Sequence, residues 1–194
     1  MRKLLILICS LMTISVTAQD YRLTENKDSM KTLIVYFSFT AGNTKRIAEQ
    51  VHNEVGGDLV RLETQIPYPS DYNQVVAQGK EEVKRGYKPE LRPLRVEMND
   101  YGRIIVGTPT WWYKMAPAVL TFLSENDFTG KVVIPFMTNA GWPGSVIKDM
   151  SDIAKKNGAR VENAREFRFS SNEKHFDRME TLESDLRKWI EVLK

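Results

Sequence analysis

The sequence predicts an α/β fold built on one parallel sheet with helices on both faces. Short β-branched runs alternate with amphipathic segments from about residue 32 to the end of the chain. The runs are apolar at nearly every position, as strands buried on both faces are. At 194 residues, 42% hydrophobic and 27% charged, the chain suffices for one domain with a full core.

Arg2 and Lys3 precede a mostly apolar run from Leu4 to Val16, and Val16-Thr17-Ala18 stands before Gln19. A positive start, a short apolar stretch and a small-residue cleavage site predict a secretory signal peptide over 1–18, hence an exported, periplasmic protein. The run is shorter than the roughly 20 residues of a spanning helix, so no stable membrane insertion is expected after cleavage. A retained leader would leave the chain membrane-anchored. Cys9 is the only cysteine, and its loss with the leader excludes disulfides, thiolate metal sites and cysteine nucleophiles. Residues 19–31 are polar and aperiodic and read as a flexible leader, with the domain over 32–194.

Leu33 to Phe37 form the first strand, and Ile47, Val51 and Val55 mark one face of the first helix. Asp58 to Thr64 read as strand two, and the segment around Tyr72, Val75, Val76 and Val83 as helix two. A loop with Pro89 and Pro93 leads to strand three, Arg103 to Gly107. Helix three follows Pro117, and strand four is Lys131 to Phe136. Ser145 is placed to cap helix four, which stops at Asn157-Gly158. Strand five lies between Arg160 and Phe169, and the last helix aligns Met179, Leu182, Leu186, Trp189 and Leu193 on one face.

The formal charge of +3 falls to +1 without Arg2 and Lys3, and charges of both signs are mixed along the chain. No basic stripe for nucleic acid is visible. In doubly wound sheets, ligands sit beyond the carboxyl ends of strands at the switch point, so the segments after strands one, three and four matter most.

Strand one runs into Ser38-Phe39-Thr40-Ala41-Gly42-Asn43-Thr44 and then helix one. A helix N-terminus offers unpaired N–H groups and the positive end of a dipole, which hold a phosphate without a lysine. Ser38, Thr40, Asn43 and Thr44 add hydroxyl and amide donors, and Gly42 lets the backbone fold closely. Neither a P-loop nor a Gly-x-Gly-x-x-Gly fingerprint is present. A capped helix start that binds nothing is the alternative. After strand three, Thr108-Pro109-Thr110-Trp111-Trp112-Tyr113 places three aromatics together, which must pack into the core or onto a flat ligand. After strand four, Thr138-Asn139-Ala140-Gly141-Trp142-Pro143-Gly144-Ser145 is rich in glycine and small polar residues.

Ser38-x-Thr40-x-x-Asn43-Thr44, directly after an apolar strand, resembles the FMN phosphate loop of flavodoxins, and the likeness extends over about residues 32 to 193. It implies a three-layer α/β/α sandwich with five parallel strands in the order 2-1-3-4-5. It further implies one non-covalent FMN held by the three loops: Ser38 to Thr44, Pro109 to Tyr113, and Thr138, Asn139, Ala140, Gly141, Trp142 and Gly144. In that likeness Trp111 packs on the inner face of the isoalloxazine and Trp142 stands where the family often has the outer aromatic. Ile66-Pro67-Tyr68-Pro69 and the Trp-Trp pair look most like a flavodoxin-like subgroup common in anaerobic bacteria.

Three features depart from that pattern. Many flavodoxins carry glycine or asparagine after the inner tryptophan, whereas Trp112 makes a positive φ costlier. Typical members are strongly acidic, and most serve the cytoplasm. The resemblance implies an electron carrier in which the flavin is the redox centre and no side chain is catalytic, exchanging electrons with redox proteins or a small acceptor. An FMN-dependent NAD(P)H oxidoreductase of quinone or nitro type and a non-catalytic flavin-binding module are the alternatives. His52, within helix one, and His175, near the start of helix five, lie outside the loops, and no metal is called for.

Overall fold

The computed structural model describes residues 31–194. The expected signal peptide and the leader up to residue 30 lie outside the described residues. Lys31, expected to end the leader, instead opens the first strand.

The sheet contains β1 (Lys31–Tyr36), β2 (Asp58–Arg61), β3 (Tyr101–Trp111), β5 (Val132–Asn139), β6 (Arg160–Val161) and β7 (Arg165–Arg168), while β4 (Lys114–Met115) pairs with the end of β3. The order is β2-β1-β3-β5-β6, with β7 also on β5, and every pairing except β3–β4 is parallel. Five strands were expected, and this count is corrected in two places. The last expected strand is broken into β6 and β7 because Asn163 turns to φ +48, its carbonyl accepting from Trp189 Nε1 at 2.6 Å. β4 is the return arm of a hairpin that the expected strand three, ending at Gly107, did not include.

The helices are α1 (Asn43–Val55), α2 (Tyr72–Arg85), α3 (Pro117–Glu125), α4 (Val146–Lys156) and α5 (Glu183–Leu193). Successive residues of β1 point to opposite faces, which divides the core into two layers. Leu33, Val35 and Phe37 join Ile104, Val106, Val119, Phe122 and Met150 on the α3–α4 side. Ile34 and Tyr36 join Ile47, Val51, Ile105, Phe136, Leu186 and Trp189 on the α1–α5 side. The three-layer sandwich follows.

Three local expectations change. Ser145 precedes α4 without a side-chain cap bond, because its hydroxyl donates to Asp149 Oδ2 at 2.7 Å. Met179 forms a bridge with Phe169, and Leu182 is an exposed residue before α5, so neither extends that helix's apolar face. His175 falls in a single 3-10 turn, Glu173–His175. Among the described residues no helix is long and apolar enough to cross a membrane, and no group of three or more potential metal ligands occurs.

Candidate functional site

β1 delivers the chain to the carboxyl edge of the sheet, where Thr40 turns at φ +23 and Gly42 at φ +74 before α1 begins. The Gly42 N–H donates to the Phe39 carbonyl at 3.0 Å and closes the turn. Gly42 occupies the N-cap, and among the described residues no side chain caps the helix. The capped-helix alternative is therefore not what the hydroxyl residues do. The first N–H groups of a 13-residue helix face outward without side-chain partners, at the positive end of its dipole.

Two of the expected donors serve another purpose. The Thr44 hydroxyl bonds the Thr138 hydroxyl at 2.8 Å in the interior, tying the first loop to the end of β5. Asn43 Nδ2 donates to the Phe176 carbonyl at 2.8 Å, tying the loop to the segment after β7. Asn139 is likewise engaged: its Oδ1 accepts from the Gly141 N–H at 2.7 Å and its Nδ2 donates to Glu166 at 2.9 Å.

The second loop is a two-residue hairpin. Trp111 pairs with Lys114, and the turn residues Trp112 and Tyr113 stand at φ +48 and +66. Two left-handed residues match the twist of the arms, a turn normally made by Asn-Gly. Each non-glycine residue there costs about 1–2 kcal/mol. The surroundings hold the strain: Trp112 Nε1 donates to the Val76 carbonyl at 3.1 Å, and the Lys80 ammonium lies 5.1 Å from the Trp112 ring. On the other side Lys114 Nζ donates to Asp149 at 2.8 Å and to Ser145 at 2.7 Å. Burial alone would raise the Asp149 carboxyl, but bonds from Lys114 and Ser145 outweigh it and hold it below its ordinary value. The costlier positive φ expected at Trp112 is thus adopted, with α2 and α4 bracing it.

Trp111 is half-buried, edge-on to Phe37, Phe39 and Tyr68 at centroid distances of 5.5, 6.1 and 5.0 Å. Tyr68 in turn donates its hydroxyl to buried Glu82 at 2.7 Å. Burial first, then this carboxylate, pushes the Tyr68 phenol well above its ordinary value.

These segments surround a cavity of about 360 Å³, within the range of small-ligand sites. Ser38 to Thr44 line one end, Pro109 to Trp112 one wall, and Thr138, Asn139 and Ala140 the base. Tyr113, Gly141, Trp142 and Gly144 do not line it. Trp142 and Tyr113 are exposed, and Gly144 serves backbone packing: a Cβ there would lie 2.0 Å from the Tyr113 carbonyl oxygen. The Thr110 hydroxyl is buried at the wall with no partner among the described residues.

Sequence reasoning missed six lining residues. Tyr72, Val75, Val76 and Gly79 come from α2, and Ser170 and Phe176 from the segment after β7. The α2 stripe reads as an ordinary core face, and only a glycine in the middle of it marks a close approach. Nothing in the spacing of Ser170 and Phe176 signals a site.

The family model for flavodoxin matches residues 31–192. A flavodoxin of Haemophilus influenzae is 26% identical over 103 residues, 51% of this chain and 45% of that protein, so the match spans under half of the relative. Among solved structures, a Bacteroides eggerthii protein classed as a flavoprotein is 27% identical, with a TM-score of 0.65 over 84% of this chain and 97% of that one. A Bacteroides uniformis counterpart is 25% identical, with a TM-score of 0.67 over 83% and 97%. A Lactobacillus acidophilus flavoprotein in complex with FMN, 22% identical with a TM-score of 0.63 over 82% and 98%, shares the fold. With the family model matched over residues 31–192 on this fold, the chain belongs to the flavodoxin family.

Proposed function

We propose that the protein is a flavodoxin-type electron carrier that holds one FMN non-covalently in this cavity. The observation that carries the reading is the uncapped N-terminus of α1, opening onto a cavity walled by Trp111. A phosphate dianion fits those N–H groups, and the partnerless Thr110 hydroxyl provides a further polar contact for a flavin.

FMN, when bound, supplies one- and two-electron redox chemistry. The chain's part is to bind, orient and tune. The first turn of α1 holds the phosphate, while Trp111, fixed by its aromatic neighbours, presents an apolar surface that excludes water. Such a surface disfavours negative charge on the ligand, which lowers the potential for the second electron. No carboxylate, imidazole, ammonium or guanidinium group belongs to the cavity lining among the described residues. That composition supports a carrier over a reductase with a dedicated acid or base.

The same reading takes redox proteins or a small acceptor as partners, not nucleic acid, and export through the leader as the route to the periplasm. Mass measurement of the mature N-terminus from a periplasmic fraction tests the latter: a chain still beginning at Met1 would refute cleavage.

The central experiment is an anaerobic titration of the FMN-loaded domain, followed by its visible spectrum with NADPH and then dithionite. Bleaching by dithionite alone is expected; rapid bleaching by NADPH would establish a reductase instead. Thr40→Ala should weaken FMN far more than riboflavin, and equal losses would put the phosphate elsewhere.

A further inference from the structure

The segment between β7 and α5 is the unexpected fourth contributor to the cavity. It is a closed loop: the Ser170 N–H donates to the Arg178 carbonyl at 2.8 Å, and the Asn172 carbonyl accepts from the His175 N–H at 2.8 Å. Ser170 Oγ accepts from the Asn172 N–H at 3.1 Å, and Asn172 Oδ1 accepts from the Lys174 N–H at 3.0 Å. Side chains of α1 then fasten this loop across the helix start. Asn43 Nδ2 donates to the Phe176 carbonyl at 2.8 Å, and Arg46 Nη1 to the Asp177 carbonyl at 3.2 Å. One turn further along the helix, Gln50 Nε2 donates to Glu183 at 3.1 Å.

The Phe176 carbonyl therefore stands beside the first residue of α1, and Phe176 lines the cavity together with the Ser38 to Thr44 end. On the reading above, that end receives the phosphate. FMN terminates at this phosphate, whereas FAD continues from the same atom into a second phosphate, a ribose and an adenine. What lies just beyond the α1 N-terminus decides which of the two fits.

We propose that Phe176, held by Asn43, is the wall that closes the phosphate end and selects a flavin monophosphate over the adenine dinucleotide. Buried Ser170 supports the same end. Its Oγ accepts within the loop, and a hydroxyl retains a hydrogen to donate toward a phosphate oxygen. For an adenylate to leave the cavity here, either the Phe176 ring must swing aside or the loop whose carbonyl Asn43 holds must open. Selectivity arises from that exclusion as much as from contacts to FMN.

This inference rests on the FMN reading, and the test separates the two. Dissociation constants of FMN, FAD and riboflavin are measured by flavin fluorescence on the purified domain, for wild type, Phe176→Ala and Phe176→Val. Wild type should favour FMN over FAD by about a hundredfold, two tenfold steps in affinity. Phe176→Ala should shift the FMN-to-FAD affinity ratio toward FAD by about tenfold. Phe176→Val, which keeps a branched apolar side chain, should give an intermediate ratio and provides the reading if the alanine variant does not fold. Equal changes for FMN and FAD, or a wild type that binds both alike, would overturn the assignment of Phe176. A wild type that binds none of the three flavins would instead overturn the FMN reading beneath it.

Discussion

Gly79 sits in the interior of α2, where alanine would ordinarily improve stability by about 0.5–1 kcal/mol. A Cβ at this position meets Trp111 Cε3 at 3.0 Å and Cζ3 at 3.2 Å, closer than ordinary contact. The ring must retreat by a few tenths of an ångström. Phe37, Phe39 and Tyr68 pack against it, while the cavity lies open on its remaining side. Trp111 is therefore displaced toward the space a flavin would occupy. Mild overpacking against a ring that can yield costs about 1 kcal/mol, which offsets the helix gain. Gly79→Ala should leave the flavin-free domain within about 1 kcal/mol of wild type in urea unfolding. Its FMN dissociation constant should rise about five- to tenfold, the value of one aromatic stack. The assay pairs urea denaturation without flavin with fluorescence titration. An alanine variant stabilised by the full helix increment, with unchanged FMN affinity, would show that Trp111 does not form the flavin wall.

Other perturbations read the scaffold. A Cβ on Gly107 would lie 2.2 Å from Phe136 Cζ in the centre of the sheet, so Gly107→Ala should destabilise the fold by about 3 kcal/mol, checked by the urea midpoint; a loss under about 1 kcal/mol would contradict the packing. Tyr68→Phe leaves buried Glu82 with Gln78 as its remaining side-chain donor at 2.8 Å and should cost about 1–3 kcal/mol, whereas an unchanged thermal midpoint would mean that water replaces the phenol. Burial raises the phenols of Tyr36, Tyr68 and Tyr101, the last to about 12 with help from its bond to Asp58 at 2.7 Å. A phenol whose folded value lies above its unfolded value of 10.0 contributes stability that is complete below that pH and lost as pH rises through the folded value. Denaturation at a series of pH values from about 9 to 12 should show that decline above 10, and a flat profile across it would refute the raised phenols.

The order of elements and the loops at the carboxyl ends of β1 and β3 were legible because hydrophobic period and loop chemistry are local properties. Leu33 to Phe37 and Ile47, Val51 and Val55 announce their own conformations. Contacts between distant segments are not local, and there the sequence is silent. Asn43 looks like a ligand donor until Phe176, 133 positions away, is seen to receive its amide. Ser145 looks like a helix cap until Lys114 and Asp149 are found around its hydroxyl. Trp142 fits a family position yet stays exposed and does not line the cavity.

The hairpin at Trp112 and Tyr113 shows why local rules fail where they do. Neither residue favours a left-handed backbone, and in isolation the turn would cost more than an Asn-Gly pair. It persists because each side of it is held by another element: Trp112 by the Val76 carbonyl on α2, Lys114 by Ser145 and Asp149 at the start of α4. Backbone strain of this kind survives only where surrounding contacts over-determine it, and such places concentrate at ligand sites. The consequence is mechanical. The Trp111 backbone, one residue before the turn, cannot shift without disturbing contacts to α2 and α4. The backbone that carries the ring is braced in advance, so on the FMN reading little binding energy would be needed to order this wall.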